Sequence, residues 1–151
     1  MRTPSQTVGP FFSIGLARRD DAVLAPGGLR LQGRLLDGED GPIVDGVVEL
    51  WDGERWGRCG TDAEGRFAFS IAKPAPRPGE TPRLDVFVFA RGLLRHQLTR
   101  IYFPDEPNET DPVYAGLEPA DRETLVAAQE DGALRFDIRM QGDRATVFFE
   151  H

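Results

Sequence analysis

Two histidines and one cysteine are the chain's whole supply of soft or imidazole metal ligands and thiol nucleophiles. His96 stands in the basic connection Leu94-Arg95-His96-Gln97 and reads as a solvated loop histidine; His151 is the terminal residue, where a ligand is seldom held rigidly. A mononuclear metal site with two histidine ligands is therefore not expected. Cys59 is alone, so it can form neither an intrachain disulfide nor a thiolate cluster, and in Gly57-Arg58-Cys59-Gly60 it reads as a buried, inert thiol. No serine lies in a nucleophile-elbow motif, and no strand runs into a GxGxxG or GxxxxGK phosphate loop.

Charged side chains remain. Asp62 and Glu64 fall in a turn and read as solvated, although carboxylates two apart on a strand can divide acid and base roles. Asp85 alternates onto one strand face with Arg83 and Arg91, which predicts a structural ion pair. Arg91 shares that face with Phe87 and Phe89. A guanidinium on an apolar wall must reach solvent, a carboxylate or an anionic ligand. Trp51, closing a strand, is expected in the core, and Trp56 is expected to be exposed at an interface. On the residues alone the chain reads as a domain without its own catalytic centre.

The elements that position these groups are strands. Residues 84–103, LDVFVFARGLLRHQLTRIYF, hold two apolar runs joined by a Gly-containing basic connection, the pattern of two paired strands. Alternation predicts further strands at 29–36, 43–51 with a bend at Gly46, 66–72, 133–140 and 145–150. Residues 52–58 read as a short loop, and Thr61-Asp62-Ala63-Glu64-Gly65 as a tight turn in which Gly65 takes positive φ. Four prolines make 73–82 a stiff connection, and the acidic, proline-rich stretch 104–119 is an exposed loop. Residues 119–129, PADRETLVAAQ, are the one predicted helix, with Pro119 at its start. Residues 1–28 are broken by proline and glycine into an irregular arm, yet Phe11, Phe12, Ile14 and Leu16 require it to pack against something.

The fold class that follows is all-β, a two-sheet sandwich with one short helix, as one domain over 1–151 with the arm at 1–28 and the sandwich at 29–151. A chain of this length buries a full core, and 17 glycines with 12 prolines suit short strands and turns. A net charge of −7, with basic residues scattered, argues against nucleic acid and anionic membrane as partners. Nothing resembles a signal segment or a membrane span, so a cytoplasmic location is expected.

A resemblance joins these readings. The arm Thr3-Pro4-Ser5-Gln6-Thr7-Val8-Gly9-Pro10-Phe11 resembles the TPSQTxGPY/F opening of intradiol ring-cleavage dioxygenases. In order along the chain, VELWD, TDAEGRFAFSIAKPAP, FVFARGLLRHQLTRIYF, RETL and RFDIRMQGDRATVFFE are similar to the alpha chains of those members that cleave protocatechuate. The resemblance implies a transthyretin-like sandwich and a ferric ion held by two tyrosines and two histidines, the histidines as a His-x-His pair on one strand face. Here the pair aligns with Arg83 and Asp85, one tyrosine with Arg77, and the other with the shortened connection at 52–58, while Tyr102 and Tyr114 lie elsewhere. An arginine offers no lone pair to a metal. The resemblance therefore implies Fe(III) bound by a beta subunit and not by this chain. It also implies a hetero-oligomer whose aromatic substrate lies at the alpha–beta interface. There Thr7, Gly9, Pro10 and Arg91 would line the substrate pocket, and Phe11 replaces a tyrosine. The alternative is a stand-alone transthyretin-like sandwich acting as a binding module.

Overall fold

Period-two alternation builds both layers. The structure, a computed structural model, describes residues 2–150, so the expectation for His151 lies outside the described residues. One sheet runs in the order β4 (Arg66–Ile71), β1 (Leu29–Leu36), β8 (Ala133–Arg135), β7 (Ala128–Glu130), with β9 (Ile138–Arg139) also on β1. The other runs β3 (Trp56–Gly60), β2 (Val47–Trp51), β5 (Arg83–Phe89), β6 (Gln97–Tyr102). Every pairing is antiparallel except β1 with β8 and with β9.

The core lies between the layers. Leu31, Leu35, Phe67 and Phe69 point inward from the first sheet and Val48, Leu50, Val86 and Val88 from the second, all buried. Strand β5 shows the rule plainly. Leu84, Val86 and Val88 are sealed in the core, while Asp85, Phe87 and Phe89 stand half-buried on the outer face. A smaller cluster joins Tyr102, Tyr114 and Leu125 at one end, where the two tyrosine rings meet edge-on with centroids 4.9 Å apart.

Several expectations need correction. The helix expected over 119–129 stops after Pro119–Glu123 (α3), because Tyr102 N–H donates to the Leu125 carbonyl and Ala127 N–H to that of Tyr102, drawing the chain onto the edge of β6 as an extended segment. It is not the one helix, since α1 (Phe12–Leu16) and α2 (Pro112–Ala115) are also formed. The arm is thus less irregular than expected; after α1 come a 3-10 turn at Arg19–Ala22 and a bridge from Val23 to Ser70. The loop 52–58 shrinks to 52–55, since Trp56 already pairs with Trp51. Trp51 is 38% exposed, not core, because its register places it beside Asp85 on the outer face. Residues 145–150 make an isolated bridge between Phe149 and Leu98 in place of a strand.

Candidate functional site

Three arginines and two carboxylates close over the outer face of β5. Arg83 Nη1 pairs with Asp85 Oδ1, Arg83 Nη2 lies 2.9 Å from Glu80 Oε2, Arg77 Nη1 lies 3.5 Å from Asp85 Oδ2, and Arg100 Nε lies 3.6 Å from Asp85 Oδ1. The register makes this unavoidable: Asp85 faces Arg100 across the β5–β6 ladder, and Arg83 is two residues along the same strand. The Arg83 side chain is only 4% exposed. Arg77 enters from the proline-rich connection and lies over Gly53, where a Cβ would sit 3.1 Å from its Nη2. That approach is possible because the β2–β3 hairpin is pinned by Asp52, which accepts from the backbone N–H of Glu54 and Arg55 and pairs with the Arg55 side chain at 2.8 Å.

This corner does not fit a ferric ion. Its nearest groups are guanidiniums with no lone pair, and its two carboxylates, Asp85 and Glu80, are already paired with those cations. The described residues include no group of three or more histidine, cysteine, aspartate or glutamate side chains able to hold a metal. Tyr102 and Tyr114 are spent on packing; burial pushes both phenols above their usual range, so they stay protonated. Sequence reasoning anticipated the Arg83–Asp85 pair but missed Arg100, whose signal was its cross-strand position.

The second locus is the turn after β5. The strand ends at Phe89, so the alternation that would have set Arg91 beside Phe87 and Phe89 does not continue; Arg91 pairs instead with Asp45, a carboxylate that strand patterning did not single out. Gly92, at φ +87°, gives its N–H to Thr7 Oγ1 at 2.8 Å, tying the arm to this turn. Thr7 and Arg91 are therefore brought to one turn. Gly9 and Pro10 are exposed a few residues on, where the Gly9 carbonyl accepts from Phe12 N–H at 3.1 Å and leads into α1. Phe12 then packs on Phe89, with centroids 5.8 Å apart. Between the arm and the turn lies a cavity of about 630 Å³ walled by Thr7, Phe89, Leu93, Leu94, Arg95 and His96. His96 is not merely a solvated loop residue: its ring packs 5.6 Å from Phe87 and 5.3 Å from Phe89.

Asp62 caps its turn by accepting from the Glu64 and Arg66 backbone N–H groups, with Gly65 at φ +71°. Cys59 is half-buried and not buried as expected, because it stands on β3 beside a surface cavity; desolvation still pushes its thiol up. Trp56 is exposed, with Arg58 over its ring at 4.6 Å. No helix among the described residues is long and apolar enough to cross a membrane.

No family model matches the chain. Among curated proteins it is 33% identical over 192 aligned residues to the protocatechuate 3,4-dioxygenase alpha chain of Burkholderia cepacia, covering 99% of this chain and 97% of that one. It is 34% identical to the corresponding alpha chain of Pseudomonas putida, covering 98% and 96%. The beta chain of the Burkholderia cepacia enzyme is 29% identical over 76% of this chain and 64% of its own length. Among solved structures, the dioxygenase domain of a dioxygenase–carbohydrate-binding protein fusion from Streptomyces sp. SirexAA-E superposes with a TM-score of 0.64 at 24% identity, covering 93% of this chain and 98% of that one. Hydroxyquinol 1,2-dioxygenase from Pseudomonas putida DLL-E4 does so with a TM-score of 0.62 at 20% identity, covering 91% and 65%. These two likenesses establish the fold.

Proposed function

Since the chain belongs to the family of protocatechuate 3,4-dioxygenase alpha chains, we propose that it is the subunit of a two-chain intradiol dioxygenase that holds no iron and completes the substrate pocket of its partner. The partner is a beta chain, related in sequence to this one. It carries the Fe(III), which supplies activation of the bound catechol toward dioxygen. The complex cleaves protocatechuate between its two hydroxylated carbons to 3-carboxy-cis,cis-muconate, a step in the cytoplasmic breakdown of aromatic acids.

The observation that carries this reading is the closed ion cluster at Arg77, Arg83 and Asp85. At the positions where the resemblance implies iron ligands, this chain supplies its own cations and neutralises its own carboxylate. The chain's contribution to chemistry then lies in binding and orientation. Thr7, Gly9 and Pro10 of the arm, and Arg91 of the turn, line the partner's pocket. The bond from Gly92 to Thr7 sets the arm's course, and Asp45 orients the Arg91 guanidinium. A cationic wall suits a substrate that carries a carboxylate and loses phenolic protons. A stand-alone binding module is not favoured, because the relatives match over nearly their whole length.

Expression alone and with the beta chain provides the test. Alone, the chain is expected to be colourless, without tyrosinate-to-iron absorption, and inactive. Co-expressed, it is expected to co-elute with the beta chain and cleave protocatechuate. A brown single chain that cleaves protocatechuate would overturn the proposal.

A further inference from the structure

In the layer opposite β5, the outer face of the first sheet carries a cavity of about 370 Å³, within the range that holds small ligands. Arg30, Arg34, Arg66 and Arg135 line it, against two carboxylates, Asp62 and Asp137, in a chain whose net charge is −7. We infer, independently of the proposed function, that this cavity binds a small organic anion carrying two or more carboxylates.

The strand register gathers these cations. Arg30, Gln32 and Arg34 alternate onto one face of β1; Arg34 lies directly opposite Arg66 of β4, and Arg135 of β8 pairs with Gln32 on the other flank. Like charges directly opposite on an antiparallel pair repel, so this face is stabilised when an anion lies between them. The carboxylates at hand are engaged in holding the fold. Asp62 accepts from the Glu64 and Arg66 backbone N–H groups, while Asp137 accepts from the Arg34 backbone N–H and pairs with the Arg135 side chain, both at 3.0 Å. Outside the lining, Glu64 and Glu130 reach Arg66 and Arg135 at 3.5 and 3.7 Å through exposed side chains, contacts that solvent screens. Arg30 and Arg34 have no carboxylate in ion-pair range among the described residues. Arg30 donates its Nε–H to Gln32 Oε1 at 2.8 Å and Arg34 its Nε–H to the Glu64 carbonyl at 3.0 Å, so each guanidinium is oriented at one edge and keeps its terminal amino groups for a ligand.

Spacing and floor define that ligand. Arg30 and Arg34 are four residues apart on an extended strand, about 13 Å between Cα atoms. An anion with one charged centre serves one end of the cavity, whereas carboxylates at the two ends of a short carbon skeleton reach both Arg30 and the Arg34–Arg66 pair, each as the two-point partner of a guanidinium fork. Along the way the wall is neutral or apolar, made by Gln32, Ala68 and Cys59.

Titration calorimetry of the full chain with citrate, at matched ionic strength, tests the site. Citrate is expected to bind once per chain, with acetate and inorganic phosphate roughly tenfold or more weaker, and Arg30→Gln and Arg34→Gln are each expected to weaken citrate roughly tenfold, the equivalent of one charge-assisted contact. Arg30 is exposed, so its replacement reads the site without loading the core. Cys59, the chain's only cysteine, supplies a second reading from inside the cavity. Citrate is expected to slow its alkylation by iodoacetamide in the native chain and not in the Arg30→Gln, Arg34→Gln double variant at the same citrate concentration. Absence of binding, phosphate binding as tight as citrate, or citrate binding that survives the double variant would overturn the inference. So would citrate binding to the lone chain that is lost in the complex with the beta chain, which would assign these arginines to an acidic segment of the partner.

Discussion

At Asp85 the energetics of the ion cluster come down to one carboxylate. It is matched by Arg83 and approached by Arg77 and Arg100, and its side chain is 16% exposed. Removing it leaves the almost fully buried Arg83 with only Glu80, and the Nε of Arg83 already lacks a hydrogen-bond partner among the described residues. Breaking one side of a buried pair costs about 3–5 kcal/mol, against about 0–1 kcal/mol for exposed pairs. Asp85→Ala is therefore expected to lower unfolding free energy by about 3 kcal/mol or more in urea titration. The double variant Asp85→Leu with Arg83→Met, which removes charge from both sides, is expected to recover most of that loss. A single-variant cost below about 1 kcal/mol would place the cluster with ordinary surface pairs. Cation and anion here cross-link β5, β6 and the proline-rich connection, which explains how the corner holds together without a metal.

Strands were legible where alternation was clean and lost where the chain obeys a neighbour. β1 was predicted to the residue because Leu31 and Leu35 alternate with Gln32 and Arg34. β3 was missed, since Trp-Gly-Arg-Cys-Gly has too little apolar weight to announce itself and forms by pairing with β2. The stretch 133–140 was read as one strand but is two. β8 pairs with Leu31 and Gln32, β9 with Leu35 and Leu36, and between them Phe136 and Asp137 cross over Gly33. There Phe136 N–H donates to the Gln32 carbonyl and Arg34 N–H to Asp137 Oδ1, a side chain standing in for a ladder acceptor. A Cβ on Gly33 would overlap the Phe136 carbonyl and lie 2.8 Å from the Phe67 ring. Gly33→Ala is expected to cost at least about 2 kcal/mol by thermal or urea unfolding, because backbone, not a flexible side chain, blocks it. Gly9→Ala, with nothing within 4 Å of its Cβ, is the control, and the isolated chain should not register it. Of the proposed pocket residues, Thr7 and Arg91 stood out through motif residues, whereas the Asp45 partner of Arg91 and the cavity between arm and turn depend on how a turn folds, which spacing does not encode.

For the whole molecule, the arm separates what folds the chain from what the chain does. The core closes between the two sheets without residues 2–8, most of which are exposed. Their principal tie is the bond from Gly92 N–H to Thr7 Oγ1, worth about 1 kcal/mol in an exposed setting. Further on, α1 is fixed independently: Phe12 packs on Phe89, and the Leu16 carbonyl accepts from Arg58 at 3.3 Å. Yet Thr7 and Val8 form one wall of the cavity between the arm and the turn after β5, and Phe11, 78% exposed, points away from the core. Segments ordered at so little gain in stability are retained for what they contact. Deleting residues 2–8 is expected to leave the unfolding free energy of the isolated chain within about 1 kcal/mol of the full chain. In the complex with the beta chain, the same deletion is expected to raise KM for protocatechuate about tenfold or more, the loss of one pocket wall and its polar contact. Urea titration of the lone chain and steady-state kinetics of the complex read the two quantities separately. A large stability loss with unchanged KM would make the arm a structural strap and return the pocket wall to the partner alone.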